Sequence, residues 1–493
     1  MEKFPNWIDG ESLAPADDRW LDTVDPYRDE VWAQIPASSP QDAEMAVAAA
    51  RRAFSSGPWA AMTATERGRI MARVADLLIE NNERLAEIEV RDNGKLLQEM
   101  RGQVRYAADL WRYYAGIADK IEGSVMPVEK SGVLGITFRE PVGVVLAITA
   151  WNSPLTFFAL KCAPALAAGC TVVVKPSEYS SASSLAFAAL TKAAGVPDGV
   201  INVVSGLGQD IGPGLVEHPD VAAVTFTGSD VTGAQVYAAA ARGMKRVAME
   251  LGGKSPNIVF EDADIQAAAL GAVSGIFGAA GQMCTAGSRL LVQNSIKETF
   301  VEEVLGATAR IKLGDPMDPA TNMGPMSNRP QYEKVLKYID IAVGEGARLI
   351  HGGKPADGPE VPGGHFIEPT IFTDVSNAMR IAQEEVFGPV LSIIGFDTEI
   401  EAISIANEIA YGLAAGVWTR DIGRMMRVTK ALHVGNVWGN TYRMYSFTMP
   451  MGGMKRSGLG RESGVEAVNE FLETKSLMLS IEESPASASF APR

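Results

Sequence analysis

The chain has 493 residues, 47% of them apolar, and carries 59 acidic against 44 basic side chains, for a formal charge of −15. That length buries a large core and predicts two or three domains, while the acidic balance disfavours nucleic acid or an anionic membrane, which call for basic surface. Three cysteines, Cys162, Cys170 and Cys284, are too sparse for a disulfide framework and point to a reducing compartment.

The first residues, "MEKFPNWIDGESL", lack a basic stretch followed by an apolar core, so no secretory signal is expected and the cytoplasm is the expected location. The region before residue 120 reads as mainly helical, because "QDAEMAVAAARRAF" and "ATERGRIMARVADLLIENNERLAEIEVRD" repeat apolar residues at spacings of three and four. Pro141 to Leu160 is uncharged and of membrane-spanning length, but its two prolines, Trp151, Asn152 and Ser153 fit a buried strand, a turn and a helix better.

From there short β-rich runs alternate with helical ones: "GVVLAITA", "LTFFALKCAPALAAG", "CTVVVKP", "SSLAFAALTKAAG", "INVVSG". That order predicts βαβ units and a parallel sheet. A second series follows, with strands "AAVTFTG", "RVAMELGG" and "PNIVF", a helix from Ser229, and an alanine-rich helix from Ile265 to Ala280. The tail "EESPASASFAPR" reads as frayed.

Four histidines, His218, His351, His365 and His433, are scattered singly, and with no CxxC or HExxH spacing no metal site is expected. Attention falls instead on Cys284 in "FGAAGQMCTAGSRLLV". A lone cysteine is usually a small buried hydrophobe. Here Gly281, Ala286 and Gly287 leave room for a substrate and a backbone N–H to approach the thiol, as a nucleophile needs. Glu250, at the end of the strand in "MELGGKSP", could deliver a carboxylate into a cleft, although alone it would read as facing water. Asn152 in "AWNSPL" could donate to a developing oxyanion; alone it would be a turn asparagine.

Together "VAMELGGKSPNIVF" and "FGAAGQMCTAGSRLLV" resemble the two active-site signatures of the aldehyde dehydrogenase superfamily. The resemblance extends in order through "WNSPL", "VVVKPSE", "FTGSDVTG", "EEVFGPV" and "MPMGGMKRSGLGRESG", over nearly the whole chain. It implies that Cys284 attacks an aldehyde to give a thiohemiacetal, its oxyanion held by Asn152 and the Cys284 N–H. Hydride then leaves for a nicotinamide, and water activated by Glu250 splits the thioester to a carboxylic acid. Lys161 is implied nearby.

The same resemblance implies NAD as cofactor, with NADP a second candidate. Lys175 and Glu178 would contact the adenosine ribose, where a carboxylate repels a 2′-phosphate. Gly228 and Ser229 stand at a helix start suited to a pyrophosphate, and Glu385 and Phe387 would meet the nicotinamide ribose and ring. Ile148, Trp151, Ser177, Gly208, Phe226, Leu251 and Gly252 complete the implied cofactor set. Two glycine stretches, "GLGQDIG" and "GLGRESG", imitate a dinucleotide fingerprint but are each one residue too long, and read as tight turns.

Two departures touch the substrate: Ser153 follows the asparagine where relatives often have an aromatic, and "PMGG" replaces "PFGG", with Met451. Tyr106, Phe157 and Tyr445 are implied near the tunnel entrance, with Met283 and Thr285 flanking the cysteine, which would suit an apolar or aromatic aldehyde. Arg443 in "NTYRMYS" is either a surface or interface arginine or a steering group for a carboxylate or another polar group on the substrate.

The implied fold is α/β, an aldehyde dehydrogenase-like fold. Residues 1–121 and 141–252 form a doubly wound parallel-sheet cofactor domain, and 253–456 an α/β catalytic domain. Residues 122–140 and 457–493 form a small β oligomerisation element with the C-terminal tail. A second subunit would cover that element, giving a homodimer or homotetramer. Rival readings are transfer of the acyl group to coenzyme A, which Glu250 disfavours; a non-catalytic protein on the same scaffold; and a thiol hydrolase, which would need a histidine partner.

Overall fold

The computed structural model describes residues 1–481; the tail read as frayed lies outside them. Five parallel strands form the centre of an eight-stranded sheet, in the spatial order Arg246–Glu250, Val221–Thr227, Val144–Ile148, Thr171–Lys175, Ile201–Val203. Helices cover both faces, so the inner strands are buried throughout and read as continuous apolar runs. The chain winds outward from Val144–Ile148 in one direction, then resumes on its other side with Val221–Thr227. Strand order therefore reverses between those two, and a crevice opens beyond their carboxyl ends, as the doubly wound topology predicts.

The second sheet has seven strands, Arg348–His351, Thr370–Thr373, Val390–Phe396, Arg289–Gln293, Pro256–Val259, Ala414–Trp418 and Asn436–Gly439, parallel except for the first. A third, antiparallel sheet pairs Val133–Pro141 with Val125–Met126 on one side and Leu472–Ser480 on the other. Among the described residues no helix is long and apolar enough to cross a membrane.

Local differences from the sequence reading have physical causes. The first 36 residues are strands rather than helix: Glu2–Lys3, Trp20–Asp25 and Glu30–Pro36 form a small sheet, and Asn6–Ile8 with Glu11–Leu13 extends the large one. The pieces Glu2–Lys3, Asn6–Ile8 and Glu11–Leu13 are too short to show a period of two, and pairing such as Val203 with Trp7 decides them, while Trp20–Asp25 and Glu30–Pro36 are held as an antiparallel pair. The long helical stretch from Ala64 breaks at Asn81, whose amide donates to Leu77 O at 2.9 Å.

Gly458–Leu459 pairs with Met249–Glu250, so part of the segment assigned to the bridging element instead edges the large sheet. "GLGQDIG" is not a tight turn, because Gly208 opens the helix Gly208–Glu217.

The alanine-rich helix ends at Phe277, three residues early. Ala279 and Ala280 take left-handed φ values of 55° and 51°, at a cost of about 1–2 kcal/mol each. Their surroundings impose this: Ala279 N donates to Glu99 Oε1 at 3.0 Å. Gly281 follows at φ 71° with the site of a Cβ only 2.0 Å from Gly388 O, so no side chain fits there. The turn lifts the chain off the helix axis and delivers Cys284.

Candidate active site

Asn152 sits in the turn between the strand Val144–Ile148 and the helix Pro154–Ala168, with its Nδ2 donating to Gln282 O at 3.0 Å. That bond joins the asparagine turn to the cysteine loop. Glu250 ends the strand Arg246–Glu250, is 6% exposed, and among the described residues its Oε1 has no hydrogen-bond partner. A Cβ on Gly452 would stand 2.9 Å from that oxygen, which is why glycine lets the "PMGG" segment pass the carboxyl.

One cavity of about 130 Å³ is lined by Trp151, Asn152, Phe157, Gly228, Ser229, Glu250, Leu251, Gly252, Cys284, Glu385 and Phe387. Leu160, Met451 and Glu462 close the wall. Burial pushes the Cys284 thiol up to about 12, reinforced by the carboxylates Glu250, Glu385 and Glu462. Burial, then Glu462, also raises Glu250 well above the usual carboxylate range, against the opposing pull of Lys161 and Arg461. Lys161 is fully buried and does not line the cavity; its ammonium pairs with Glu462 at 2.7 Å and donates to Thr225 Oγ1 at 3.0 Å.

The adjoining crevice, about 780 Å³, is lined by Ile148, Trp151, Lys175, Ser177, Glu178, Gly208, Phe226, Gly228 and Ser229. It shares Ala150, Trp151, Thr227, Gly228 and Ser229 with the first cavity, so the two are contiguous. Its lining fits a dinucleotide. Among the described residues Thr149 Oγ1 and Thr227 Oγ1 are buried without partners, and Lys175 Nζ reaches only Pro176 O at 3.0 Å and Glu178 Oε2 at 3.6 Å. Ser229 Oγ caps the helix Asp230–Arg242 by accepting from Thr232 N at 3.2 Å.

At the other end Glu385 Oε1 accepts from Gly253 N at 2.9 Å, and a Cβ on Gly252 would lie 2.4 Å from Glu385 Oε2, so only glycine leaves that carboxyl in place. Phe387 stands edge-on to Trp151, ring centroids 5.3 Å apart, in a left-handed backbone conformation with φ 59°. Gln331 holds it there by donating to Val386 O and Phe387 O at 2.8 and 2.9 Å.

Six residues read from sequence as substrate contacts lie outside this lining. Ser153 is buried and donates to Asn152 O at 2.7 Å. Thr285 pairs its hydroxyl with Tyr445, and Tyr106 packs near Phe447. Arg443 is turned to the end of the helix Ile265–Phe277, where Nη1 donates to Ser274 O and Gly278 O at 3.2 and 3.4 Å; helix-end carbonyls attract a cation. Met283 faces Lys95, with its sulfur 3.6 Å from Nζ.

The sequence reading missed Lys95, Gln331, Lys334 and Glu462. Gln331 and Lys334 are half-buried on the helix Arg329–Gly344 and carry no local signal, whereas Glu462 lies within "GLGRESG", read as a turn.

A profile described as "Aldehyde dehydrogenase family" matches residues 13–477. Aldehyde dehydrogenase 1 of Tanacetum cinerariifolium is 45% identical over 97% of this chain and 95% of its own. The (Z)-2-((N-methylformamido)methylene)-5-hydroxybutyrolactone dehydrogenase of Acinetobacter baylyi is 43% identical over the full length of both. A crystal structure of a betaine aldehyde dehydrogenase point mutant from Staphylococcus aureus, in complex with NAD+ and with a BME-modified cysteine, superposes with TM-score 0.97 at 40% identity over all of both chains. The chain belongs to the aldehyde dehydrogenase family. It is an oxidoreductase acting on aldehydes.

Proposed function

We propose that this protein oxidises an apolar or aromatic aldehyde to the carboxylic acid with NAD, through an acyl group carried on Cys284 and released to water. The observation that carries this reading is the single cavity in which Cys284, Asn152 and Glu250 meet, continuous with the crevice that fits a dinucleotide. NAD, when bound, supplies the hydride acceptor.

The chain's own residues do the rest. The Cys284 thiolate adds to the carbonyl carbon, and Asn152 Nδ2, with one N–H engaged by Gln282 O, has a second to give the oxyanion alongside the Cys284 backbone N–H. The thioester left after hydride loss is an electrophile for water. Glu250 removes the water's proton, since its raised pKa makes it a stronger base than an ordinary carboxylate. Lys161 fixes Glu462, and that carboxylate in turn keeps Glu250 basic. A carboxyl in this position supports hydrolysis over transfer to coenzyme A.

Phe157, Leu160 and Met451 supply an apolar wall. The test is NADH formation across short aliphatic, long aliphatic, aromatic, amino- and carboxy-substituted aldehydes. The apolar and aromatic members should lead; activity only on addition of coenzyme A would overturn hydrolysis, and preference for a charged aldehyde would overturn the apolar wall.

Glu178 borders the crevice beside Lys175, where its carboxylate disfavours a 2′-phosphate. Glu178→Gln should raise kcat/KM for NADP relative to NAD by about tenfold or more. An unchanged ratio would remove Glu178 from cofactor choice.

One face of the antiparallel sheet exposes Val125, Phe138, Leu477 and Leu479, while Met126 and Met478 are exposed on the other. Such a face on an open-edged sheet supports its burial against a second copy. Sedimentation velocity should give a dimer or tetramer, and a monomer at micromolar concentration would refute this.

A further inference from the structure

Lys95 follows the helix Asn82–Asn93, which ends on Gly94 in the left-handed conformation, φ 74°. The turn points the lysine inward, and it is 2% exposed. Its ammonium donates to Asn152 O, to Ser153 Oγ at 3.2 Å and to Met283 Sδ at 3.6 Å. All three of its protons are therefore directed at uncharged acceptors, two on the oxyanion turn and one on the residue that precedes Cys284.

The charged and titratable groups around it are Glu99 on the helix Leu97–Ile117, Glu89 on the preceding helix Asn82–Asn93, Arg443 and Cys284. Neither carboxylate hydrogen-bonds to Lys95. Glu99 accepts from Leu96 N and Ala279 N, and Glu89 from Leu155 N and Ser183 Oγ. A buried ammonium whose hydrogen bonds go only to uncharged groups is expensive for folding. Its place between the nucleophile loop and the oxyanion turn suggests what offsets that.

We propose that Lys95 is a positioning residue: its ammonium ties the Asn152 turn to the Met283–Cys284 loop and favours the negative charge that forms on Cys284 sulfur. This rests on Cys284 as the nucleophile and adds to it the source of its activation. Around the thiol the neighbouring carboxylates all oppose ionisation, so a cation on the far side of the loop is the counterweight. Burial lowers Lys95 to about 8, with Arg443 assisting. The cation is thus present at neutral pH and is lost as pH rises through that value.

The test is the rate of Cys284 alkylation by iodoacetamide from pH 6 to 10, read by peptide mass, in wild type, Lys95→Met and Lys95→Arg. Cys162 and Cys170 are buried and serve as unreactive internal references. A nearby opposite charge lowers a pKa by about one unit or more, so Lys95→Met should react about tenfold more slowly at pH 7. Wild type and Lys95→Met should converge above about pH 9, once the wild-type lysine is neutral, while Lys95→Arg stays faster than both.

Equal rates in wild type and Lys95→Met, or a deficit of the same factor at every pH, would overturn the proposal. If Lys95→Met does not fold, a wild-type to Lys95→Arg ratio independent of pH does so. A wild-type Cys284 inert throughout would overturn the nucleophile assignment itself, a separate failure from a reactive Cys284 indifferent to Lys95.

Discussion

Cys284→Ala is expected to lower aldehyde-dependent NADH formation by about 10⁴-fold or more, because removing the nucleophile removes both covalent steps. A hydrated aldehyde could still in principle lose hydride, but without sulfur there is no tetrahedral carbon held against Asn152 Nδ2. The substitution trims one atom from a loop whose path is set elsewhere, by the left-handed alanines and by Gln282 Nε2 donating to Ala279 O and Pro325 O. Cofactor binding, followed by quenching of the protein's tryptophan fluorescence, should therefore be retained. Residual activity within tenfold of wild type would exclude Cys284 as the acyl carrier.

Glu250→Gln should separate the two halves of the reaction. The thioester still forms, so one NADH per active site appears as a burst, and steady turnover then falls by about 10²–10⁴-fold, the usual worth of a general base. The acylated protein should be visible by intact mass. The pH dependence carries the sign of the environment. Burial and Glu462 raise the Glu250 pKa, and the working form is the deprotonated one, so wild-type kcat climbs with pH through a window above the ordinary carboxylate value of about 4.3 and is lost as pH falls through it. That limb should be absent in Glu250→Gln. A variant that turns over at the wild-type rate without a burst would return the water-activating role to another group.

The aromatic wall illustrates how far local sequence carries. Phe157 lines the cavity, one turn into a helix that begins just after the asparagine. Tyr106 and Tyr445, read by the same resemblance, do not line it, since Tyr106 packs near Phe447 and Tyr445 is bound to Thr285. Arg443 similarly serves a helix end. Side chains on loops take whatever partner the neighbouring segment offers, and that choice is not written beside them.

What the sequence determined by itself is the alternation of buried strands and helices, and the residues placed at strand ends. Runs such as "VVLAI" and "TVVVK" in alternation with helical stretches read as central strands covered on both faces, and residues at or just past the end of such a strand, Lys175, Glu250 and Asn152, emerge at the carboxyl edge where a crevice lies. What only the tertiary structure decided is which charges share the interior with Cys284. Lys161 meets Glu462 across 301 residues of chain, and Lys95 meets Met283 across 188. The partners of these two buried ammonium groups arrive from distant segments, so their environment is a property of the packed chain and has no local signature.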